Sequence, residues 1–184
     1  MIKKILFFFI FTLFINQSHA KENIMILKLK DGDVVIELFT DVAPNHVKRF
    51  KQLAKEKKYN GVVFHRVIDG FMAQTGDVQF GNSTLESYDI RRAGTGGSKY
   101  PDLKAEFSDI PHDRGTLSMA RSSDPNSSNS QFFICFKSAP HLDRQYTVFG
   151  KVIKGMEFVD LIKRGEGAGG EVENQDKIIS LTAN

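Results

Sequence analysis

After an apolar N-terminal segment, a hydrophobic period of two gives way to a longer period. Residues 24–30 alternate in polarity, an Asp-Gly pair follows at 31–32, and residues 34–39 form a second apolar stretch. A strand, an Asp-Gly turn and a strand make the strongest short-range signal for a β-hairpin. From Pro44, apolar residues recur at helical spacing, and proline suits the first position of a helix. We therefore predict a hairpin followed by a helix that ends near Lys58.

Short apolar segments dominate the rest of the chain, and stretches rich in Gly, Ser and Asp separate them. Further strands are predicted at residues 62–68, 71–75, 116–120, 131–136, 147–152 and 177–181. A second helical pattern covers residues 156–162. The Gly-rich stretch that ends at 94–97 predicts a long surface loop of the kind that often carries function. Many short strands and two helices favour one mainly β domain, a closed or nearly closed barrel with helices covering its ends.

The N-terminal segment has the layout of a secretory signal. It starts with two lysines, continues with eleven mostly apolar residues from Ile5 to Ile15, and ends in Ser18-His19-Ala20. An apolar run of this length is too short to cross a hydrocarbon core of about 30 Å, which argues against a membrane helix. We predict a cleaved signal peptide at 1–20 and a single domain at 21–184.

Composition excludes several classes of protein. The chain is 41% hydrophobic and 26% charged, close to the average for a soluble globular protein. Loss of the signal removes two lysines and no acidic residue, so the formal charge falls from +3 to +1, which gives little support for nucleic-acid binding. The single cysteine, Cys135, excludes an internal disulfide and a multi-cysteine metal site, and a buried thiol is favoured over a nucleophile. The histidines show no metal-binding spacing.

Two loop motifs lack essential parts, and a third motif is absent. Residues 94–97 are not followed by the Lys-Ser/Thr of a phosphate loop, and residues 124–128 lack the Gly and the closing Glu of a calcium loop. A Gly-x-Ser-x-Gly nucleophile elbow is absent from the sequence. These observations argue against a nucleotide-binding protein, a calcium site and a serine hydrolase.

Two polar residues stand among large apolar ones in the predicted strands near residue 70. In a strand, Arg66 would share a face with Phe64, and Gln74 would share another with Met72. An arginine on a half-buried strand is unfavourable unless its guanidinium is hydrogen-bonded. Taken alone, this pattern favours a structural arginine that is paired with a carboxylate or with carbonyl groups.

Residues 64–77 nevertheless closely resemble the signature of the cyclophilin family of peptidyl-prolyl cis–trans isomerases. The resemblance continues at 115–120, 130–134 and 148–152, and in the family's order it spans nearly all of residues 24–182. It implies a mainly β fold, a closed eight-stranded antiparallel barrel capped by two α-helices. It also implies rotation about X-Pro bonds as the activity. This reaction breaks no covalent bond, so it needs no nucleophile, cofactor or metal.

The resemblance also assigns roles to side chains. Arg66 would donate to the prolyl carbonyl and to the amide nitrogen, a task that suits its permanent charge and rigid donor fork. Gln74 would orient Arg66 and contact the substrate backbone. The proline pocket would be lined by Phe71, Met72, Phe133 and Leu142. The groove for residues that precede proline would be lined by His65, Ala120, Arg121 and Gln131.

Two further candidate binding residues depart from the eukaryotic pattern. His141 stands where cyclosporin-sensitive members carry Trp, and Tyr146 stands where many members carry His. The resemblance therefore implies weak cyclosporin binding. It also implies a bacterial-type member, exported to the periplasm in a cell with two membranes.

The expected partners are proline-containing peptides and unfolded exported proteins, with no nucleic acid and no stable membrane anchor. The expected state is a monomer. An alternative from another class is a cyclophilin-fold binding module or holdase that recognises proline without useful turnover. The substitution Arg66→Ala separates the two hypotheses, because only the enzyme should lose its main function.

Overall fold

The computed structural model describes residues 23–183, so the predicted signal peptide at 1–20 lies outside the described residues. The strands within this range are β1 (Ile24–Lys28), β2 (Asp33–Leu38), β3 (Arg66–Ile68), β4 (Met72–Thr75), β5 (Thr116–Met119), β6 (Phe132–Cys135), β7 (Val148–Lys154) and β8 (Ser180–Ala183). The helices are α1 (Pro44–Lys55), α2 (Met156–Asp160) and a short 3-10 helix, Pro140–Leu142. Every strand and helix that the sequence predicts is present in some form.

The strands form one antiparallel sheet in the order β3-β4-β6-β5-β7-β2-β1-β8. The edges are β3 and β8, and among residues 23–183 no ladder joins them, so the closed barrel that the resemblance implies is not shown. A glycine-rich segment occupies the free edge of β3 instead. Val67 N donates to Gly170 O at 2.7 Å, and Gly165 N donates to Val67 O at 2.8 Å. The curled sheet therefore ends in loop-to-strand hydrogen bonds.

Several element boundaries differ from the prediction. Helix α1 ends at Lys55 because Lys57 adopts a left-handed conformation with φ of 57°. The N–H groups of residues 57 and 58 then turn back to the carbonyls of residues 54 and 53 in a Schellman-type cap. The strand predicted at 62–68 is regular only in β3, since residues 62 and 63 form isolated bridges.

The start of α1 is capped from a distant loop. Glu106 accepts hydrogen bonds from the backbone N–H groups of Asn45 and His46, each at 3.2 Å, and His46 Nδ1 lies 2.7 Å from Glu106 Oε2. A negative charge is favourable at this end of a helix. Burial opposes the charged form, but the hydrogen bonds from His46 and Asn45 outweigh it and lower the pKa of Glu106. This contact fixes α1 against the sheet.

Two apolar clusters lie on opposite faces of the sheet. The main core lies between the sheet and α1, where Phe50 packs edge-to-face on Phe132 with ring centroids 5.1 Å apart. The second cluster contains alternate residues of the same strands, such as Phe133 beside Phe132. Cys135 belongs to this second cluster, and burial raises the pKa of its thiol to about 12, as a structural thiol requires. The second cluster forms the floor of the candidate site.

Candidate active site

Strand pairing brings the two polar residues of the β3–β4 hairpin together. Arg66 is the register partner of Gln74 across the hairpin, and Gln74 is the partner of Phe133 across β4 and β6. All three therefore lie on the face that carries the second cluster. Phe64 lies in the main core instead, so the prediction that it shares a face with Arg66 is wrong, because regular strand begins only at residue 66.

A cavity of about 180 Å³ opens on this face. Its lining consists of Arg66, Phe71, Met72, Gln74, Ala120, Arg121, Phe133, Leu142 and Tyr146. All of these are candidate residues from the sequence. His141 lies at the rim, where its ring packs on Phe71 with centroids 5.4 Å apart. The cavity, which we call the proline pocket, thus combines an apolar floor with a polar edge.

The Arg66 guanidinium is held by neutral groups. Its Nε donates to Gly169 O at 3.0 Å, and its Nη1 donates to Gln74 Oε1 at 3.3 Å. Among residues 23–183 it forms no ion pair with a carboxylate, and its Nη2 has no protein acceptor. The arginine therefore keeps one terminal nitrogen free to donate at the edge of the proline pocket.

A relay of hydrogen bonds fixes Gln74 in turn. Gln74 Nε2 donates to Gln131 Oε1 at 3.0 Å, and Gln131 Nε2 donates to Gly94 O and Gly96 O at 2.9 and 2.8 Å. The Gly-rich loop that the sequence predicts, which ends at residues 94–97, thus forms the far end of the relay. Asp77 anchors this loop, because its Oδ2 accepts from the N–H groups of Gly94 and Gly96 at 2.8 and 2.9 Å.

Sequence reasoning missed Asp77 as part of the site. It is fully buried, and its Oδ1 also accepts from the N–H groups of Gln79 and Phe80 at 3.0 and 2.9 Å. Its position as the last residue of the cyclophilin-like segment was the only available signal. The contact of Arg66 with Gly169 was also missed, since the two residues are far apart in the sequence.

A second relay lies beneath the aromatic wall of the proline pocket. His112 is buried, stacks on Phe133 at a centroid distance of 6.2 Å, and lies between Asp143 and Ser118 at 2.9 and 3.0 Å. Burial lowers the pKa of His112, although the hydrogen bond with Asp143 acts in the opposite direction. The order Asp–His–Ser resembles a hydrolase triad, but Ser118 is fully buried and its hydroxyl donates to Thr147 O at 3.0 Å. This relay supports Phe133 and presents no exposed nucleophile.

A larger groove of about 500 Å³ adjoins the proline pocket. Ala120, Arg121 and Gln131 line it, as the resemblance implies for residues that precede proline, and Gln74 lines it as well. His65 does not line this groove, but a third cavity on the other side of Arg66. It packs under Gly94, whose φ is +95° and where a Cβ would approach the imidazole to 2.5 Å. Burial lowers the pKa of His65 to about 4.

Two kinds of feature are absent from the described part of the chain. No cluster of three or more His, Cys, Asp or Glu side chains there could hold a metal ion. In the same residues, no helix has the length and apolar character needed to span a bilayer.

Comparisons with known proteins agree with the geometry. A family model described as "Cyclophilin type peptidyl-prolyl cis-trans isomerase/CLD" matches residues 24–183. A Brucella suis biovar 1 protein named "Probable peptidyl-prolyl cis-trans isomerase" is 62% identical over 162 residues, which are 88% of this chain and 82% of that protein. A Helicobacter pylori peptidyl-prolyl cis-trans isomerase is 41% identical over 155 residues, which are 82% of this chain and 86% of that protein.

Solved structures give the same result. A cyclophilin-type isomerase from Cryptosporidium parvum, crystallised in the presence of the dipeptide Ala-Pro, has a TM-score of 0.74 and 29% identity, and the match covers 88% of this chain and 98% of that chain. The cyclophilin AquaCyp293 from Hirschia baltica has a TM-score of 0.73 and 26% identity, with coverages of 89% and 74%.

The eight-stranded antiparallel sheet and its two helices define a cyclophilin-like fold, and Arg66 lies at the edge of a pocket on that sheet. This chain belongs to the family of cyclophilin-type peptidyl-prolyl cis–trans isomerases. Its activity is therefore rotation about X-Pro peptide bonds.

Proposed function

We propose that Arg66 is the catalytic residue and that it acts on the twisted X-Pro amide. Rotation about a peptide bond has a barrier of about 18–20 kcal/mol because the planar amide is stabilised by resonance. As the bond twists, the lone pair of the prolyl nitrogen localises and can accept a hydrogen bond. A donor placed at that nitrogen stabilises the twisted form more than either planar form, which is what catalysis requires.

The observation that carries this proposal is the charged guanidinium of Arg66 beside a cavity of about 180 Å³ that includes four large apolar side chains in its lining. Gln74 Oε1 accepts from Nη1 at 3.3 Å and Gly169 O accepts from Nε at 3.0 Å, which leaves Nη2 free to donate to the amide. Phe71, Met72, Phe133 and Leu142 would surround the proline ring and exclude water from the amide. A donor in such a site is worth more than the same donor in water.

We further propose that the substrates are unfolded exported proteins and that the enzyme works as a periplasmic monomer. The layout of residues 1–20 supports export, with cleavage after Ala20. Proline-containing segments would enter the proline pocket, with the preceding residues in the adjoining groove. His141 would allow only weak cyclosporin binding. Mass spectrometry of the protein from a periplasmic fraction tests the cleavage, and an intact N-terminus would contradict it.

The mechanism is tested by a protease-coupled isomerisation assay on an Ala-Pro-Phe peptide. Arg66→Ala should lower kcat/KM by about 10²–10³-fold, the effect of removing one donor from a preorganised site. Arg66→Lys is the matched control for charge, and it should recover little activity because an ammonium lacks the fork that serves Gln74 and the substrate together. Unchanged turnover in folded Arg66→Ala would contradict the mechanism. A folded wild-type protein that bound Ala-Pro without turnover would favour the holdase alternative.

A further inference from the structure

The guanidinium of Arg121 lies at the junction between the proline pocket and the adjoining groove, and it lines both. Its N–H groups are directed to backbone carbonyls. Nε and Nη2 donate to Gln145 O at 3.2 and 3.0 Å, and Nη1 donates to Ser122 O and Ser123 O at 2.9 and 3.3 Å. One side chain therefore joins two segments that are more than twenty residues apart in the sequence.

The same guanidinium also lies over the ring of Tyr146, with its Cζ 4.5 Å from the ring centroid. On another side, Tyr146 packs edge-to-face on Phe133 with centroids 5.9 Å apart. A planar guanidinium can stack on an aromatic face and donate in its own plane at once, which an ammonium cannot do. The tyrosine is thus held between Arg121 and the aromatic wall of the proline pocket.

We propose that Arg121 is a positioning residue that clamps Tyr146 as a fixed wall of the proline pocket. The proposal rests on the proposed function of that pocket. The hydrogen bonds to Gln145 O hold the backbone next to the tyrosine, and the stacking holds its ring. Because these donors are engaged by protein carbonyls, Arg121 acts on the substrate through Tyr146.

This role predicts a particular kinetic effect. Without the clamp, the Tyr146 ring contacts the proline ring less well, whether the X-Pro amide is planar or twisted. KM should therefore rise while kcat stays the same. Loss of Arg66 should instead lower kcat. The two arginines of the site are therefore distinguishable by the parameter that each one changes.

The test compares Arg121→Lys, Tyr146→Leu and the double variant in the peptide assay. We expect Arg121→Lys to raise KM by about 3- to 10-fold, the effect of one lost cation–π contact, with kcat changed by less than about twofold. The double variant should be no worse than Tyr146→Leu, because the clamp has no function without the ring. Additive effects would overturn the proposal. A wild-type KM in Arg121→Lys together with a raised KM in Arg121→Gln would also overturn it, because charge alone would then suffice.

A neighbouring arginine provides the matched control. Arg144 lies in the same segment as Tyr146, and its guanidinium forms an exposed ion pair with Asp109. Arg144→Lys should leave KM and kcat at their wild-type values. If it raised KM as much as Arg121→Lys, the effect would belong to the segment in general, and the clamp would be refuted.

An independent readout separates this proposal from the proposed function. In NMR spectra, the Arg121 Nε–H signal should lie upfield because of the Tyr146 ring, and Tyr146→Leu should abolish this shift. An unshifted signal would refute the clamp whatever the activity. If the wild-type protein bound Ala-Pro without turnover, the proposed function would be wrong. In that case Arg121→Lys should raise the Kd of Ala-Pro by about 3- to 10-fold, and an unchanged Kd would refute the clamp.

Discussion

Replacement of Asp77 by asparagine tests the connection between the Gly-rich loop and the active site. The carboxylate is fully buried and accepts hydrogen bonds from four backbone N–H groups, two on each oxygen. Asparagine has the same shape but offers an NH₂ group in place of one oxygen. Whichever way the amide turns, two buried N–H groups lose their acceptor and face another donor.

The magnitude follows from those two groups. A buried donor without a partner costs about 1–3 kcal/mol, so Asp77→Asn should lower the free energy of unfolding by about 2–6 kcal/mol. For a chain of this size, the lower value corresponds to a Tm decrease of at least about 4 °C. Gln131 would also lose its fixed acceptors on the loop, and Gln74 would lose its orientation. We expect kcat/KM of the folded variant to fall by about 2- to 10-fold, the contribution of one hydrogen bond.

Urea unfolding and the isomerisation assay measure the two effects separately. Asp89→Asn is the matched control, because Asp89 lies in the same loop but pairs with the exposed Arg91. It should leave the free energy of unfolding close to the wild-type value. If Asp77→Asn were as stable as the control, the argument from the four N–H groups would be refuted. If it lost stability with unchanged kcat/KM, the relay through Gln131 would not contribute to activity.

Two further predictions concern stability. His65 is buried with a pKa of about 4, below its unfolded value of about 6.5, so the unfolded chain binds the proton first as pH falls. The contribution of His65 to the free energy of unfolding should be complete above pH 6.5 and should decrease by about 3 kcal/mol towards pH 4. Urea unfolding of His65→Gln should show a shallower decrease with pH, and an equal slope would contradict this assignment. Glu106→Gln should lower the free energy of unfolding by about 1–2 kcal/mol, since an amide group would face the N–H groups of Asn45 and His46. Its thermal unfolding is compared with that of Glu157→Gln, whose side chain is exposed on α2, and equal Tm values would contradict the capping role.

The parts of the fold that were predictable from sequence are those with local causes. The Asp-Gly pair at 31–32 specifies the β1–β2 turn, and Pro44 specifies the start of α1. The end of α1 was not predictable, because Lys57 adopts a left-handed conformation that glycine or asparagine would ordinarily indicate. The pairing of Arg66 with Gln74 was expected only from the resemblance, since a two-residue period fixes faces only within one strand and not across a hairpin.

The site follows the same division between local and distant causes. The lining of the proline pocket was accessible through resemblance, because its residues lie in segments whose order and spacing match a known family. The groups that hold Arg66 were not, since its Nε is fixed by a backbone carbonyl, Gly169 O, which any residue type could supply. Close contact requires glycine at the neighbouring position 170. The φ of Gly170 is +74°, and a Cβ there would approach the Ile68 side chain to 2.5 Å. The orientation of Arg66 therefore depends on the close approach of two distant segments.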